Sequence, residues 1–241
     1  LEANAEIHTP YGATEAVPII SIGSNEILSE TRQLSEQGYG YCVGRPIDDL
    51  DVRIIQITDA PILHWSDDLV LPPGEIGEIV VQGDLVTRRY FRRSEADALA
   101  KIDDGPSFWH RMGDLGWQDK KGRIWFCGRK SHRVLAGEET LFTIPCEAIF
   151  NRHPEVYRSA LVGVGPREDQ IPVICIELEQ GTSIRSRSRI KKELLAAAKD
   201  NPLTQNIQHI LFHKSFPVDI RHNSKIFREK LAVWAEKRTK L

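Results

Sequence analysis

The first half of the chain alternates hydrophobic and polar residues at the spacing of β-strands. Apolar side chains recur with this period over residues 51–57 and 78–82, and one phase slip in the first run predicts a bulge. The Pro-Pro-Gly sequence at residues 72–74 predicts a turn between them. Residues 94–100 have the Ser N-cap and acidic first turn of a short helix. This pattern predicts a small β-barrel-like subdomain.

A hairpin is predicted farther along the chain. Residues 110–116 and 122–130 are strand-like and are joined by a short polar link with a glycine. Each segment carries a charged residue beside glycine, so Asp114 and Arg129 are expected on neighbouring turns. A carboxylate suits ribose hydroxyls, and a guanidinium suits ribose or phosphate oxygens. An ordinary surface ion pair is the alternative for these two residues alone.

Beyond residue 130 the pattern changes to alternating strands and helices. Strands are predicted at residues 159–164, 173–179 and 207–213, and a helix near residue 194 is predicted to carry its apolar side chains on one face. About 110 residues of this kind suit a compact α+β unit. The predicted fold class is therefore α/β (α+β), with domains at residues 1–130 and 131–241.

Composition narrows the possible partners. With Lys plus Arg at 32 and Asp plus Glu at 34, the net charge of −2 gives no global attraction for nucleic acid or an anionic membrane. The four cysteines form no Cys-x-x-Cys pair, which argues against a zinc ribbon or disulfide scaffold. No apolar stretch approaches the ~20 residues that a membrane span needs, so we expect a cytoplasmic protein.

Two further segments suggest phosphate chemistry. Residues 11–15 read Tyr-Gly-Ala-Thr-Glu, in which the Thr14 hydroxyl suits a phosphate oxygen and the Glu15 carboxylate suits Mg²⁺. Near the other end, Asn223 is a good N-cap, which predicts that Lys225 lies in the first turn of a helix. A cation there gains nothing from the helix dipole, so it hints at an anionic ligand. A capped glycine turn and an ordinary exposed lysine are the alternatives.

In this order and spacing, these segments resemble the adenylate-forming superfamily of acyl-CoA synthetases, firefly-type luciferases and peptide-synthetase adenylation domains. Residues 110–134, 141–150 and 219–235 are most similar to the β-lactone synthetases of bacterial long-chain olefin biosynthesis. The resemblance implies that the first domain is the β-barrel-like remnant of a large AMP-binding domain, and that the second is a small C-terminal lid domain.

The resemblance also implies roles for individual residues. The residues implied to bind ATP or AMP are Tyr11, Gly12, Thr14, Asp114 and Arg129. The residues implied to be catalytic are Lys225, Thr14 and Glu15, with Glu15 also holding Mg²⁺. Lys225 would contact the substrate carboxylate and the bridging phosphate oxygen.

The implied activity is the ATP-dependent conversion of a carboxylic acid, expected to be a long-chain β-hydroxy acid, into an acyl-adenylate. Its own β-hydroxyl would then close a β-lactone, so that AMP and pyrophosphate are released. The implied partners are the fatty acid, a missing N-terminal part of the chain, without which we expect no activity, and other olefin-pathway enzymes. A fatty acyl-CoA ligase, a peptide-synthetase-type adenylation domain and an inert nucleotide-binding or interaction module remain open alternatives.

Overall fold

The computed structural model describes residues 5–220 and 222–239. The chain divides into two compact units. The first comprises Leu1–Leu34 and Gly40–Ser131, and the second comprises Ser35–Tyr39 and His132–Leu241. Among the described residues, no helix is long and apolar enough to cross a membrane.

The first unit is built mainly from strands. Its strands are β1 (His8–Ala13), β2 (Ala16–Gly23), β3 (Tyr41–Pro46), β4 (Asp51–Ile55), β5 (Gly77–Gln82), β6 (Lys101–Asp104), β7 (Ser107–Gln118) and β8 (Ile124–Arg129). Helical segments of this part of the chain are α1 (Ser24–Glu26), a π-helical segment (Ile27–Thr31), α2 (Arg32–Glu36) and α3 (Ser94–Ala100). Short 3-10 turns lie at Asp67–Leu69 and Lys130–His132.

These strands form one eight-stranded sheet in the order β1-β2-β3-β8-β7-β5-β4, with β6 paired to β7. Within the described residues the edge strands β1 and β4 do not pair with each other, so the sheet is open. The mixed fold class is confirmed, whereas the barrel-like subdomain that we predicted is not a closed barrel.

The bulge predicted near residue 55 is wrong. Strand β4 pairs with β5 in continuous register, from Asp51 opposite Gln82 to Ile55 opposite Glu78. The apolar phase slip has another cause, because the end of β4 is buried on both faces. Ile54 belongs to one buried cluster and Ile55 to another, on the opposite side of the strand.

The second unit alternates strands and helices. Its elements are β9 (Val134–Ala136), β10 (Glu139–Leu141), α4 (Thr143–Asn151), β11 (Val156–Val164), β12 (Ile171–Leu178), a 3-10 turn (Ile184–Ser186), α5 (Arg187–Lys199), β13 (His209–Phe212), β14 (Val218–Asp219), β15 (His222–Ile226) and α6 (Arg228–Glu236). Strand β12 lies centrally, antiparallel to β11 and parallel to β13. The predicted apolar face of α5 is confirmed, since Ile190, Leu194 and Ala198 are buried.

A buried ion pair joins two helices of this unit. Glu147 lies on α4, and Arg228 is the first residue of α6. The two guanidinium NH₂ groups of Arg228 donate to the two carboxylate oxygens of Glu147, with 2.9 Å between Nη2 and Oε2. The amide of Leu161 on β11 also donates to Glu147 Oε1, at 2.7 Å. The pair therefore fixes α6 against α4 and the sheet.

Candidate functional site

The predicted hairpin is confirmed and brings Asp114 and Arg129 together. Strands β7 and β8 are antiparallel, and the Cα atoms of these two residues lie opposite each other. The Asp119 carboxylate closes the turn by accepting the amides of Lys121 and Arg123, both at 2.9 Å. Gly122 takes φ = 74°, a conformation that side-chain-bearing residues rarely adopt. Local turn chemistry sets the register next to the turn, and a shift of one residue between Leu115 and Gly116 then places Asp114 opposite Arg129.

Tyr11 joins this pair from strand β1. Its hydroxyl donates to Asp114 Oδ2 at 2.7 Å, while Arg129 Nη1 lies 3.1 Å from Asp114 Oδ1. The Asp114 side chain is only 7% exposed, whereas that of Arg129 is 51% exposed. An ordinary surface ion pair does not describe this geometry, because its carboxylate is buried.

One oxygen of Asp114 is not fully satisfied. Within the described residues, Oδ1 is buried and accepts no hydrogen bond, since the nearby Arg129 contact lacks the alignment of one. Burial raises the pKa of the Asp114 carboxyl above its ordinary value, and the charge of Arg129 and the hydrogen bond from Tyr11 oppose that rise only in part. A ligand hydroxyl that donates to Oδ1 would therefore stabilise the ionised carboxylate.

The turn between β1 and β2 carries the other predicted residues of the N-terminal motif. Gly12 lies where a Cβ would be 2.6 Å from the carbonyl oxygen of Ala16, so only glycine permits the close approach of these strands. Thr14 is exposed at the turn. Glu15 follows it, and its carbonyl oxygen accepts the amide of Thr87 at 2.9 Å. This contact anchors the turn to the segment after β5.

The Glu15 side chain contacts residues that the sequence did not single out. Its Oε1 accepts a hydrogen bond from the Tyr90 hydroxyl at 2.8 Å. Burial alone would raise the pKa of the Glu15 carboxyl, but the Tyr90 hydrogen bond and the Lys101 charge contribute to a pKa below the ordinary value. Burial, together with Glu15, raises the pKa of Tyr90 to about 12. Tyr90 thus remains a donor and Glu15 a carboxylate near neutral pH.

Lys101 and His110 extend this cluster across the sheet. Their Cα atoms are opposite each other in the pairing of β6 with β7. Burial lowers the pKa of Lys101 to about 8, and burial with the Lys101 charge lowers the pKa of His110 to about 4. His110 is thus neutral near pH 7, and its Nδ1 carries the proton, because it lies 3.1 Å from the carbonyl oxygen of Ala100. These positions meet because β6 pairs with β7, and the sequence analysis did not predict that pairing.

Lys225 does not lie in a helical turn, so that prediction is wrong. It is an exposed residue of strand β15, and α6 begins only at Arg228. The segment is held extended because Ile226 pairs with Val218 and the Phe227 amide donates to the carbonyl oxygen of Pro217 at 2.9 Å. Asn223 also belongs to β15, and the residue at the N-cap position of α6 is Phe227. The dipole argument for an anion at Lys225 therefore no longer holds.

Comparison with known proteins gives the family. No family model matches the chain. An olefin β-lactone synthetase of Xanthomonas campestris pv. campestris is 48% identical over 240 residues, which cover 98% of this chain and 43% of that protein. The olefin β-lactone synthetase of Stenotrophomonas maltophilia is 47% identical with the same coverage.

Among solved structures, the O-succinylbenzoate coenzyme A synthetase of Bacillus subtilis, in complex with ATP and a magnesium ion, has the same fold. Its TM-score is 0.70 at 22% identity, over 94% of this chain and 41% of that one. The chain spans less than half the length of the curated relatives it matches. With nearly half of its residues identical to theirs, the chain belongs to the family of adenylate-forming ligases that includes the olefin β-lactone synthetases.

Proposed function

We propose that the protein uses ATP to convert a long-chain β-hydroxy acid into an acyl-adenylate and then closes it to a β-lactone. The names of the two bacterial relatives support the product, since both are olefin β-lactone synthetases. We also propose that the protein acts in the cytoplasm together with other olefin-pathway enzymes. We further propose that these 241 residues are active only as part of a longer protein.

The nucleotide assignment rests on Asp114 Oδ1, a buried oxygen that accepts no hydrogen bond within the described residues. A ribose presents two neighbouring hydroxyls, and a buried carboxylate with a free acceptor is suited to one or both. Tyr11 keeps the other oxygen occupied at 2.7 Å, which fixes the orientation of the carboxylate. Arg129 is half-exposed beside it and has donors left for ribose or phosphate oxygens. In this proposal, Tyr11 and Gly12 border the adenine and Thr14 donates to the α-phosphate.

Glu15 fits the role of a magnesium ligand. Its carboxyl stays ionised at neutral pH, and the Tyr90 hydroxyl holds one oxygen in place at 2.8 Å. A carboxylate oxygen is the hard ligand that Mg²⁺ prefers. When bound, Mg²⁺ neutralises phosphate charge and so makes pyrophosphate a better leaving group. Glu15 would thereby connect the nucleotide end of the site to the cation that activation requires.

The proposed reaction has two steps. A carboxylate oxygen of the acid attacks the α-phosphorus of ATP, and the bond to pyrophosphate breaks. The β-hydroxyl oxygen of the same acid then attacks the acyl carbon, the bond to AMP breaks and the hydroxyl proton is released. A well-oriented intramolecular nucleophile has an effective molarity of ~10⁵–10⁸ M, which helps to offset the strain of a four-membered ring. Lys225 is the proposed cation for the reacting carboxylate and phosphate oxygens.

The products test this proposal. The longest natural polypeptide that contains the sequence is incubated with ATP, Mg²⁺ and a long-chain β-hydroxy acid, without coenzyme A. We expect AMP and pyrophosphate to appear together with a product that mass spectrometry finds lighter than the acid by one water. If AMP appears only with coenzyme A and a thioester accumulates, the protein is an acyl-CoA ligase. If neither AMP nor pyrophosphate forms, the inert module is the correct alternative.

A substitution tests the lysine. We expect Lys225→Ala to slow pyrophosphate release by about 10²-fold or more, because a group that stabilises transition-state charge contributes at least that much. Lys192→Ala removes another exposed lysine of the second unit and is the matched control, for which the rate should not change. Equal rates in the two variants would remove Lys225 from the mechanism.

A further inference from the structure

A cavity of about 350 Å³ lies in the first unit, beside the cluster around Glu15. Its lining combines cationic with apolar side chains, namely Arg88, Arg89, Lys101, Ile62, Leu63 and Phe108. Lys101 lines the cavity and also belongs to the Glu15 cluster. Its Nζ donates to the carbonyl oxygen of Thr87, and the amide of Thr87 donates to the carbonyl oxygen of Glu15. The cavity is therefore built onto the same segment as the candidate site and is separate from the Asp114 pair.

The two arginines of this cavity lack carboxylate partners among the described residues, whereas the charge of Lys101 interacts with those of Glu15 and Asp97. The contact found for Arg88 is with the Phe108 ring, whose centroid lies 5.5 Å from Cζ, and Arg89 forms neither an ion pair nor a hydrogen bond there. The carboxylate that lines the cavity, Asp103, pairs with His64, with 3.2 Å between Oδ2 and Nδ1. Lys101 Nζ lies 5.2 Å from the Phe108 ring centroid. Two guanidinium groups without a carboxylate partner, beside the Lys101 ammonium, attract an anion.

The apolar part of the lining indicates more than a simple anion. Leu63 is 71% exposed, and Ile62 and the Phe108 ring line the cavity beside it. An inorganic phosphate would engage the cations and leave these side chains in water. A molecule with an apolar chain would bury them and gain roughly 25 cal/mol for each Å² removed from water.

We propose that this cavity binds an amphipathic anion, in which a carboxylate, phosphate or sulfate head is joined to an apolar chain. The head contacts Arg88, Arg89 and Lys101, and the chain lies along Ile62, Leu63 and the Phe108 ring. Guanidinium groups suit such heads because their donors match paired oxygens. A free long-chain acid and the headgroup of an anionic lipid share this chemistry, so both are sources that the test must separate.

Decyl sulfate, used below its micelle concentration, is a suitable probe because it cannot be activated with ATP. Calorimetry with the longest natural polypeptide should find saturable binding that weakens as salt is added, and methyl sulfate should bind far more weakly. Arg88→Gln combined with Arg89→Gln should reduce the affinity roughly 10- to 30-fold, since two cations facing an anionic head are lost. Arg185→Gln, an exposed arginine of the second unit, is the matched control and should leave the affinity unchanged.

Equal affinity for methyl sulfate and decyl sulfate, or unchanged affinity in the double variant, would overturn the proposal. Vesicles separate the two sources. Sedimentation with phosphatidylglycerol vesicles but not with phosphatidylcholine vesicles, lost in the double variant, assigns the cavity to lipid headgroups. Decyl sulfate binding without vesicle binding assigns it to a free acid.

Discussion

Two carboxylate–arginine pairs in this molecule differ in what they leave unsatisfied. Both oxygens of Glu147 accept hydrogen bonds from Arg228, and the side chains of this pair are 7% and 12% exposed. Asp114 is equally buried, but its Oδ1 accepts no hydrogen bond within the described residues, and its partner Arg129 is half-exposed. The same residue types thus form a closed pair in the second unit and an open one in the first.

The difference separates a structural role from a binding role. A buried pair with every acceptor occupied holds elements together and has no capacity left for a ligand. Burial raises the pKa of both carboxyls, but only Asp114 has an oxygen to which another donor could still bind and so stabilise the ionised form. We therefore expect substitutions at the closed pair to affect folding, and substitutions at the open pair to affect binding.

Breaking the closed pair should have the largest effect. Arg228→Met leaves the Glu147 carboxylate buried without its cation, which costs about 3–5 kcal/mol when one partner of such a pair is removed. Hydrogen exchange of the β11 amides would report the loss in the free energy of unfolding. Arg185→Met, at an exposed site of the same unit, should change it by less than about 0.5 kcal/mol. If Arg228→Met changed the free energy of unfolding as little as the control does, the closed pair would not stabilise the fold.

The second largest expected effect is the pH dependence that His110 gives to the stability of the first unit, which contains the open pair. Its pKa falls from 6.5 to about 4 on folding, so the unfolded chain takes up a proton as the pH falls through 6.5 while the folded chain does not. Stability from His110 is therefore present above pH 6.5 and is lost as the pH approaches 4, by up to about 3 kcal/mol.

Urea unfolding of the first unit at pH 7 and pH 4.5 measures this loss. His110→Gln keeps a donor for the carbonyl oxygen of Ala100 and should remove much of the difference between the two pH values. His64→Gln alters a side chain that is 78% exposed, and the difference should persist in it. If the His110 variant retained the full pH dependence, other groups would have to account for it.

The sequence predicted the elements whose signals are local. The β7–β8 hairpin follows from a polar turn with Gly122, and the apolar face of α5 follows from helical spacing. Two local signals misled. Asn223 is a good helix cap but lies in a strand that pairs with residues 218–219, and the phase slip in β4 reflects burial on both faces.

Contacts between distant residues were harder to predict. Tyr11 and Asp114 are 103 positions apart, and the motifs that contain them named both residues, but nothing in the sequence predicted their hydrogen bond. Glu15 and Tyr90 are 75 positions apart, and no motif drew attention to Tyr90 or Lys101, while His110 was named only as part of a predicted hairpin strand. Their meeting depends on how β6, β7 and the Glu15 turn assemble. Nucleotide binding by the named residues stays a prediction.

The most direct test of the open pair compares AMP with 2′,3′-dideoxy-AMP by calorimetry, in the longest natural polypeptide and in its Asp114→Asn variant. We predict that the unaltered protein binds AMP about 10- to 100-fold more tightly than the dideoxy compound, since a hydrogen bond to a charged group contributes ~1.5–3 kcal/mol. The variant should lose this preference while unfolding at the same or higher urea concentration, because the raised pKa of Asp114 means that its ionised form costs stability. An unchanged preference for AMP in Asp114→Asn would contradict the assignment of this carboxylate to the ribose.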